Sequence, residues 1–312
     1  MKTFAFVFPG QGSQSVGMLD AVADHPAVRD TLAEAADALH EDVAALIAHG
    51  PAEALNLTAN TQPVMLTAGV ALWRLWLAEG GAQPARMAGH SLGEYTALVA
   101  AGALDFADAL PLVRFRAQAM QDAVPAGSGG MAAVLGLDDD AVRACCADAA
   151  AQCGEIVEAV NFNAPGQVVI AGTRAAVDAA CALLKSRGAK RALPLPVSAP
   201  FHSTLLRGAA QRLAQYLDGV PLRTPRIPVV HNVDVATHAE PQAIRAALAA
   251  QAAGAVRWVE CVQALAAAGC TDLVECGPGK VLAGLTRRID AQLSGHALVD
   301  ANSATTIKEA LQ

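Results

Sequence analysis

The 312-residue chain is 54% hydrophobic and 16% charged, with a formal net charge of −7, so it can build one sizeable core and a smaller second one and is not a disordered segment. Dispersed Lys and Arg in an acidic chain exclude nucleic acid as a partner, because phosphate binding needs clustered cations. No uncharged apolar stretch reaches the length of a membrane span, and aromatic residues at only 4% in an Ala-rich chain favour amphipathic helices packed on a sheet, an α/β protein.

In chain order, the apolar run 4–8 follows Met-Lys-Thr but is cut by Pro9-Gly10, far short of a signal-peptide core, and reads as a first buried strand over 3–8. Helical patterns at 26–40 and 60–79 precede a strand at 85–88, a helical run at 94–101 and a helix at 106–123. This βα alternation predicts a mainly parallel sheet. A Gly-rich break at 125–130 changes the rhythm to strand 131–135, helix 138–152, strand 155–162, a turn at Asn163-Ala164-Pro165-Gly166, strand 167–171, helix 174–187 and strand 189–197. The order βαββαβ is that of a ferredoxin-like unit, which predicts a small domain over 125–198 inserted into a larger one formed by 1–124 and 199–312. The α/β rhythm then resumes, with a helix near 203–217 and strands at 227–230 and 271–275. Seven cysteines without metal-ligand spacing read as reduced thiols of a soluble cytoplasmic protein, mostly small core residues.

The sharpest chemical signal is Gly89-His90-Ser91-Leu92-Gly93, a G-x-S-x-G pattern between a strand and a helix. There the Ser91 hydroxyl stands clear as a nucleophile, and the N–H of Leu92 opens the helix where an oxyanion could sit. A serine needs a base. His90 adjoins Ser91 but points elsewhere on a tight turn and shapes the elbow, whereas His202 falls at the inferred domain boundary, where a cleft would form. His231 beside a buried strand reads as structural, as do His25, His40, His49, His238 and His296. The turn Pro9-Gly10-Gln11-Gly12 lacks a phosphate-loop signature, but at the end of a parallel strand Gln11 could supply a second oxyanion N–H. Arg114 and Arg116 flank the apolar stripe of their helix symmetrically, and periodicity does not choose between them as a carboxylate-binding cation.

Together these residues resemble the malonyl-CoA:acyl carrier protein transacylase family over essentially the whole chain. The motifs that carry it are Phe8-Pro9-Gly10-Gln11-Gly12-Ser13-Gln14, Gly89-His90-Ser91-Leu92-Gly93-Glu94, Asn163-Ala164-Pro165-Gly166-Gln167, Ala199-Pro200-Phe201-His202-Ser203, Asn232-Val233-Asp234-Val235 and Gly277-Pro278-Gly279-Lys280-Val281-Leu282. The resemblance implies an α/β-hydrolase-like core with a parallel sheet and an inserted ferredoxin-like subdomain. It implies that Ser91 is acylated, that His202 is the base, and that the N–H groups of Gln11 and Leu92 form the oxyanion hole. It also selects Arg116 over Arg114 as the carboxylate clamp, gives Gln251 the main-chain carbonyl that orients His202, and sets His90 and Phe201 beside the substrate. Phe201 next to the histidine resembles the malonyl-selective acyltransferases of polyketide synthases, where an aromatic crowds out an α-methyl group.

The implied reaction is a ping-pong transfer of malonyl from malonyl-CoA to acyl carrier protein for fatty acid synthesis, by a single chain without metal or redox cofactor. The alternatives are a malonyl transferase subunit of malonate decarboxylase, a serine thioesterase or hydrolase sharing the elbow, and a noncatalytic binder of the carrier or coenzyme A. The basic run Lys185, Arg187, Lys190 and Arg191 either docks the carrier or complements the dipole of the helix it ends.

Overall fold

The computed structural model describes residues 2–197 and 199–312; Ser198, the last residue of the expected insertion, lies outside them. Strands β1 (Phe4–Phe8), β2 (Arg86–Gly89), β3 (Gly129–Leu135), β4 (Val157–Ala164), β5 (Gln167–Thr173), β6 (Arg191–Pro194), β7 (Val229–Val230), β8 (Asp272–Cys276) and β9 (Ser294–Leu298) divide into two sheets. Among the described residues one sheet is parallel, in the order β7-β2-β1-β8-β9, and the other is antiparallel, in the order β4-β5-β3-β6. The fold is therefore α/β, a parallel sheet with a second, antiparallel one.

β1 is buried at every position because it lies in the middle of the parallel sheet with both faces covered. Its alternation sends Phe4, Phe6 and Phe8 into one core, where the Phe6 ring meets Trp73 and Trp76 edge-on at 5.2 and 5.4 Å between centroids. These tryptophans belong to the helix Thr58–Ala78. Ala5 and Val7 face the opposite core with Trp258, Cys261 and Val262 of the helix Trp258–Ala267. A third cluster closes the antiparallel sheet under the helices Asp139–Cys153 and Arg174–Ser186. Asp138 caps the first of these helices, accepting the Ala141 N–H at 2.7 Å, and Thr173 caps the second. The βαββαβ element order matches the sequence reading, and six of the seven cysteines are buried, none of them paired. No helix among the described residues is long and apolar enough to cross a membrane.

The differences from the expected elements have local causes. β3 begins at Gly129 rather than 131, because Gly129 and Gly130 pair with Thr173 and Gly172 instead of breaking the chain. The strand expected at 227–230 shrinks to two residues, since Pro228 accepts from the Met87 N–H but has no N–H to return. The strand expected at 189–197 is regular only over β6, an edge strand interrupted by Pro194 and Pro196. β9 was not expected at all: Ser294, Gly295 and His296 break the apolar pattern, and β8 supplies the pairing that makes it a strand. The site follows from the parallel sheet. β1, β2 and β7 are contiguous, and the turns leaving their carboxyl ends carry Gln11, Ser91 and Asn232 to one place.

Candidate active site

Ser91 lies in the left-handed region at φ 52°, a conformation that costs a non-glycine residue on the order of 1–3 kcal/mol and persists only when its surroundings over-determine it. Both ends of its residue are held: the Ser91 N–H donates to Asn232 Oδ1 at 2.7 Å, and Gln251 Nε2 donates to the Ser91 carbonyl at 3.0 Å. The flanking glycines permit the turn. A Cβ on Gly89 would overlap the main chain of Gly93, and one on Gly93 would overlap the Phe8 carbonyl. The helix Gly93–Ala100 then starts directly behind the serine.

Ser91 Oγ lies 2.7 Å from His202 Nε2, and His202 Nδ1 lies 2.9 Å from the main-chain oxygen of Gln251. A carbonyl can only accept, so Nδ1 carries the proton and Nε2 presents its lone pair to the serine hydroxyl. Burial, reinforced by the charge of Arg116, pushes the imidazole down to about 3, so it is a free base at neutral pH. His202 is also left-handed, at φ 65°, and the segment after it is tied down by Glu158 of β4, whose carboxylate accepts the Thr204 N–H at 2.7 Å and the Thr204 hydroxyl at 3.0 Å.

Burial separates the two arginines that periodicity could not. Arg114 spends its guanidinium on Glu41 at the surface, with two bonds of 2.7 Å. Arg116 is 1% exposed and donates to Gln62 Oε1 at 2.7 Å, Gln251 Oε1 at 2.9 Å and Ser91 Oγ at 3.1 Å. Burial pulls it below its ordinary value, yet a guanidinium stays charged at physiological pH. These hydrogen-bond partners are neutral, and the buried Glu94 carboxylate acts on the guanidinium only through its field, so the donor fork itself is not committed to an anion.

Among the described residues, no hydrogen bond engages the main-chain N–H of Gln11 or Leu92. The Leu92 N–H is one of the open donors at the start of a helix. The Gln11 turn is braced by Gln14, which accepts the Gly12 N–H and donates to Asn56, both at 2.7 Å. These groups line a cleft of about 460 Å³, with Met120, Met131, Val169, Leu195 and Phe201 on its apolar side, a volume within the usual range for small-molecule sites. His90 lines it too, but its Nε2 is bonded to Asn163 Oδ1 at 2.8 Å rather than to the serine, and burial pulls its pKa down. His231 is fully buried. The run Lys185 to Arg191 lies at the end of a helix and the start of β6, where Arg187 pairs with Asp148. The structure thus brings Ser91, His202, Arg116, Gln11, Leu92, Phe201 and His90 to the lining of one cleft, with Gln251 bonded to Ser91, His202 and Arg116 behind it. Sequence reasoning missed Gln62, whose polar side chain in a helix gives no separate signal, and gave no role to Asn232, Asn163 or Glu94. Glu94 was the most legible of these, the one carboxylate in an otherwise uncharged helix.

A Ser–His pair, two open amides and a buried cation in one cleft suit the transfer of an anionic acyl group to and from a serine. A model described as the acyl transferase domain matches residues 5–308. The malonyl CoA-acyl carrier protein transacylase of Salmonella typhimurium is 54% identical over 299 residues, covering 96% of each chain. The crystal structure of an acyl-carrier-protein S-malonyltransferase from Burkholderia pseudomallei 1710b superposes with a TM-score of 0.97 at 65% identity, over 99% of this chain and 100% of that one. A malonyl-transacylase solved in complex with its type II PKS acyl-carrier protein has the same TM-score at 50% identity, over 99% and 100% of the two chains. With the family matched from residue 5 to residue 308 and more than half of all positions shared with a named relative, the chain belongs to the malonyl-CoA:acyl carrier protein transacylases of the acyl transferase domain family.

Proposed function

We propose that Ser91 carries the malonyl group as an ester between two thiols, taking it from malonyl-CoA and delivering it to the phosphopantetheine thiol of acyl carrier protein for fatty acid synthesis. The observation that carries this reading is Arg116, a buried guanidinium 3.1 Å from Ser91 Oγ whose hydrogen-bond partners within the protein are all uncharged. A hydrolase of simple esters has no use for such a cation, whereas the free carboxylate of malonyl fits its fork.

His202 Nε2 takes the proton from Ser91 as Oγ bonds to the thioester carbon, and the carbonyl oxygen becomes an oxyanion facing the N–H groups of Gln11 and Leu92. The C–S bond breaks as the oxyanion collapses, and the imidazolium returns its proton to the departing coenzyme A sulfur. The carrier thiol then gives its proton to His202 and attacks the ester, and Ser91 leaves with that proton. Every step balances without a change of oxidation state. The Gln251 carbonyl holds the imidazole in the tautomer both halves require, and Phe201 bounds the space beside the α-carbon. All of these groups come from one chain, so a single copy suffices for the chemistry.

The acceptor is inferred from the relative solved with its acyl-carrier protein. For the architecture, the strand order β4-β5-β3-β6 and the βαββαβ sequence support a ferredoxin-like insertion over 125–198. The parallel sheet with its serine elbow supports an α/β-hydrolase-like body over 1–124 and 199–312.

Intact mass after mixing with malonyl-CoA, followed by addition of phosphopantetheinylated carrier, tests the proposal. The expected result is a malonyl adduct on the wild type, absent from Ser91→Ala, that moves to the carrier. Release of free malonate without carrier would instead identify a hydrolase.

A further inference from the structure

Glu94 takes no part in the transfer steps, yet its carboxylate is fully buried and three donors converge on it. His231 Nδ1 reaches Oε1 at 2.7 Å, and the Asn232 N–H and Gln251 Nε2 reach Oε2 at 2.8 and 2.9 Å. A buried carboxylate is costly unless so satisfied, and an apolar residue would serve a mere core position better. Two of the three donors continue directly to reacting groups. Asn232 accepts the Ser91 N–H at 2.7 Å and donates to the Gly89 carbonyl at 2.7 Å. Gln251 holds Arg116 through Oε1, the Ser91 carbonyl through Nε2, and His202 Nδ1 through its main-chain oxygen. One carboxylate thereby sits behind the elbow, the base and the cation together.

We propose that Glu94 is a positioning residue that keeps Ser91, His202 and Arg116 in mutual register by fixing Gln251 and Asn232. This rests on reading those three as the reacting set. The test therefore includes a reaction that needs the elbow and base but no malonyl: labelling of Ser91 by a small fluorophosphonate, followed by intact mass beside single-turnover acylation by malonyl-CoA. Glu94→Gln can still accept from Asn232 and Gln251, but its amide NH₂ faces His231 Nδ1, which can accept only by carrying its proton on Nε2, a buried atom with no hydrogen-bond partner among the described residues. Both rates should fall only about fivefold, the net worth of one hydrogen bond. Glu94→Ala should lose about 100-fold in both, the cost of an ångström-scale misplacement, with a cooperative thermal transition showing that it is folded.

Gln251→Ala keeps the main-chain carbonyl but removes the side-chain link, and should slow labelling about tenfold. It decides the case if Glu94→Ala does not fold. Wild-type labelling by folded Glu94→Ala, or by Gln251→Ala, overturns the proposal. Ser91 labelling in a wild type that accepts no malonyl overturns the transfer reading alone and leaves the positioning of Ser91 supported.

Discussion

Replacing Arg116 by alanine removes the cation while leaving Ser91 and His202 in place. Its guanidinium is 1% exposed, so a malonyl carboxylate paired with it is shielded from water on the protein side. Deleting one partner of a buried, hydrogen-bonded ion pair costs about 3–5 kcal/mol, which at about 1.4 kcal/mol per factor of ten predicts a 10²- to 10³-fold loss or more in malonyl acylation. The substitution also strands Gln62 Oε1 and Gln251 Oε1 without their donor, a general cost to the site of about 1–3 kcal/mol per group. The informative quantity is accordingly a ratio: initial rates of acyl-enzyme formation, by intact mass, with malonyl-CoA and acetyl-CoA on the same preparation. Damage common to both donors cancels, and the acetyl-to-malonyl ratio should rise by at least 10². Arg116→Lys should fall between, since an ammonium keeps the charge but not the two-pronged geometry. Equal losses for both donors in Arg116→Ala would refute the carboxylate clamp.

His202 is pushed down to about 3 by burial and by the field of Arg116, so acylation rates measured by stopped flow should stay level from about pH 8 to about pH 5. An apparent pKa near the ordinary histidine value of about 6.5 would contradict this. The same shift has a stability sign: below about pH 6.5 the unfolded chain binds a proton at His202 that the folded chain refuses until about pH 3, so this contribution to stability is lost as pH falls across that window. Chemical denaturation of wild type and His202→Gln at both ends of the window should show the difference shrinking on acidification. Phe201 is packed with Met131 and Leu206, and Phe201→Ser should raise the methylmalonyl-to-malonyl acylation ratio by about 10- to 200-fold, the range that one methylene commands. An unchanged ratio would remove Phe201 from substrate selection.

Of the residues that meet in the cleft, those that stand in a local pattern with a mechanical meaning were legible. Gly89-His90-Ser91-Leu92-Gly93 announces a strained turn, and the run Phe4 to Phe8 announces the strand that ends beside it. The choice between Arg114 and Arg116 was not legible from period alone, since the two lie on either side of the same apolar stripe. What separates them is Glu41 on one side and Gln62 with Gln251 on the other, residues far away in sequence. Gln251 shows the same limit more sharply: its main-chain oxygen does the orienting, and a main-chain oxygen has no residue type to read. β9 escaped notice because its strand character comes from its neighbour β8 rather than from its own side chains.

The glycines of the elbow also bear on how this sequence can change over time. When a new side chain collides with another side chain, a second substitution can make room. At positions 89 and 93 the collision would be with the peptide groups of Gly93, Glu94 and Phe8, atoms that every residue carries. No compensating substitution elsewhere can remove them, so these two positions are closed to mutational drift for as long as the turn keeps its shape, whatever acyl group the cleft is adapted to hold.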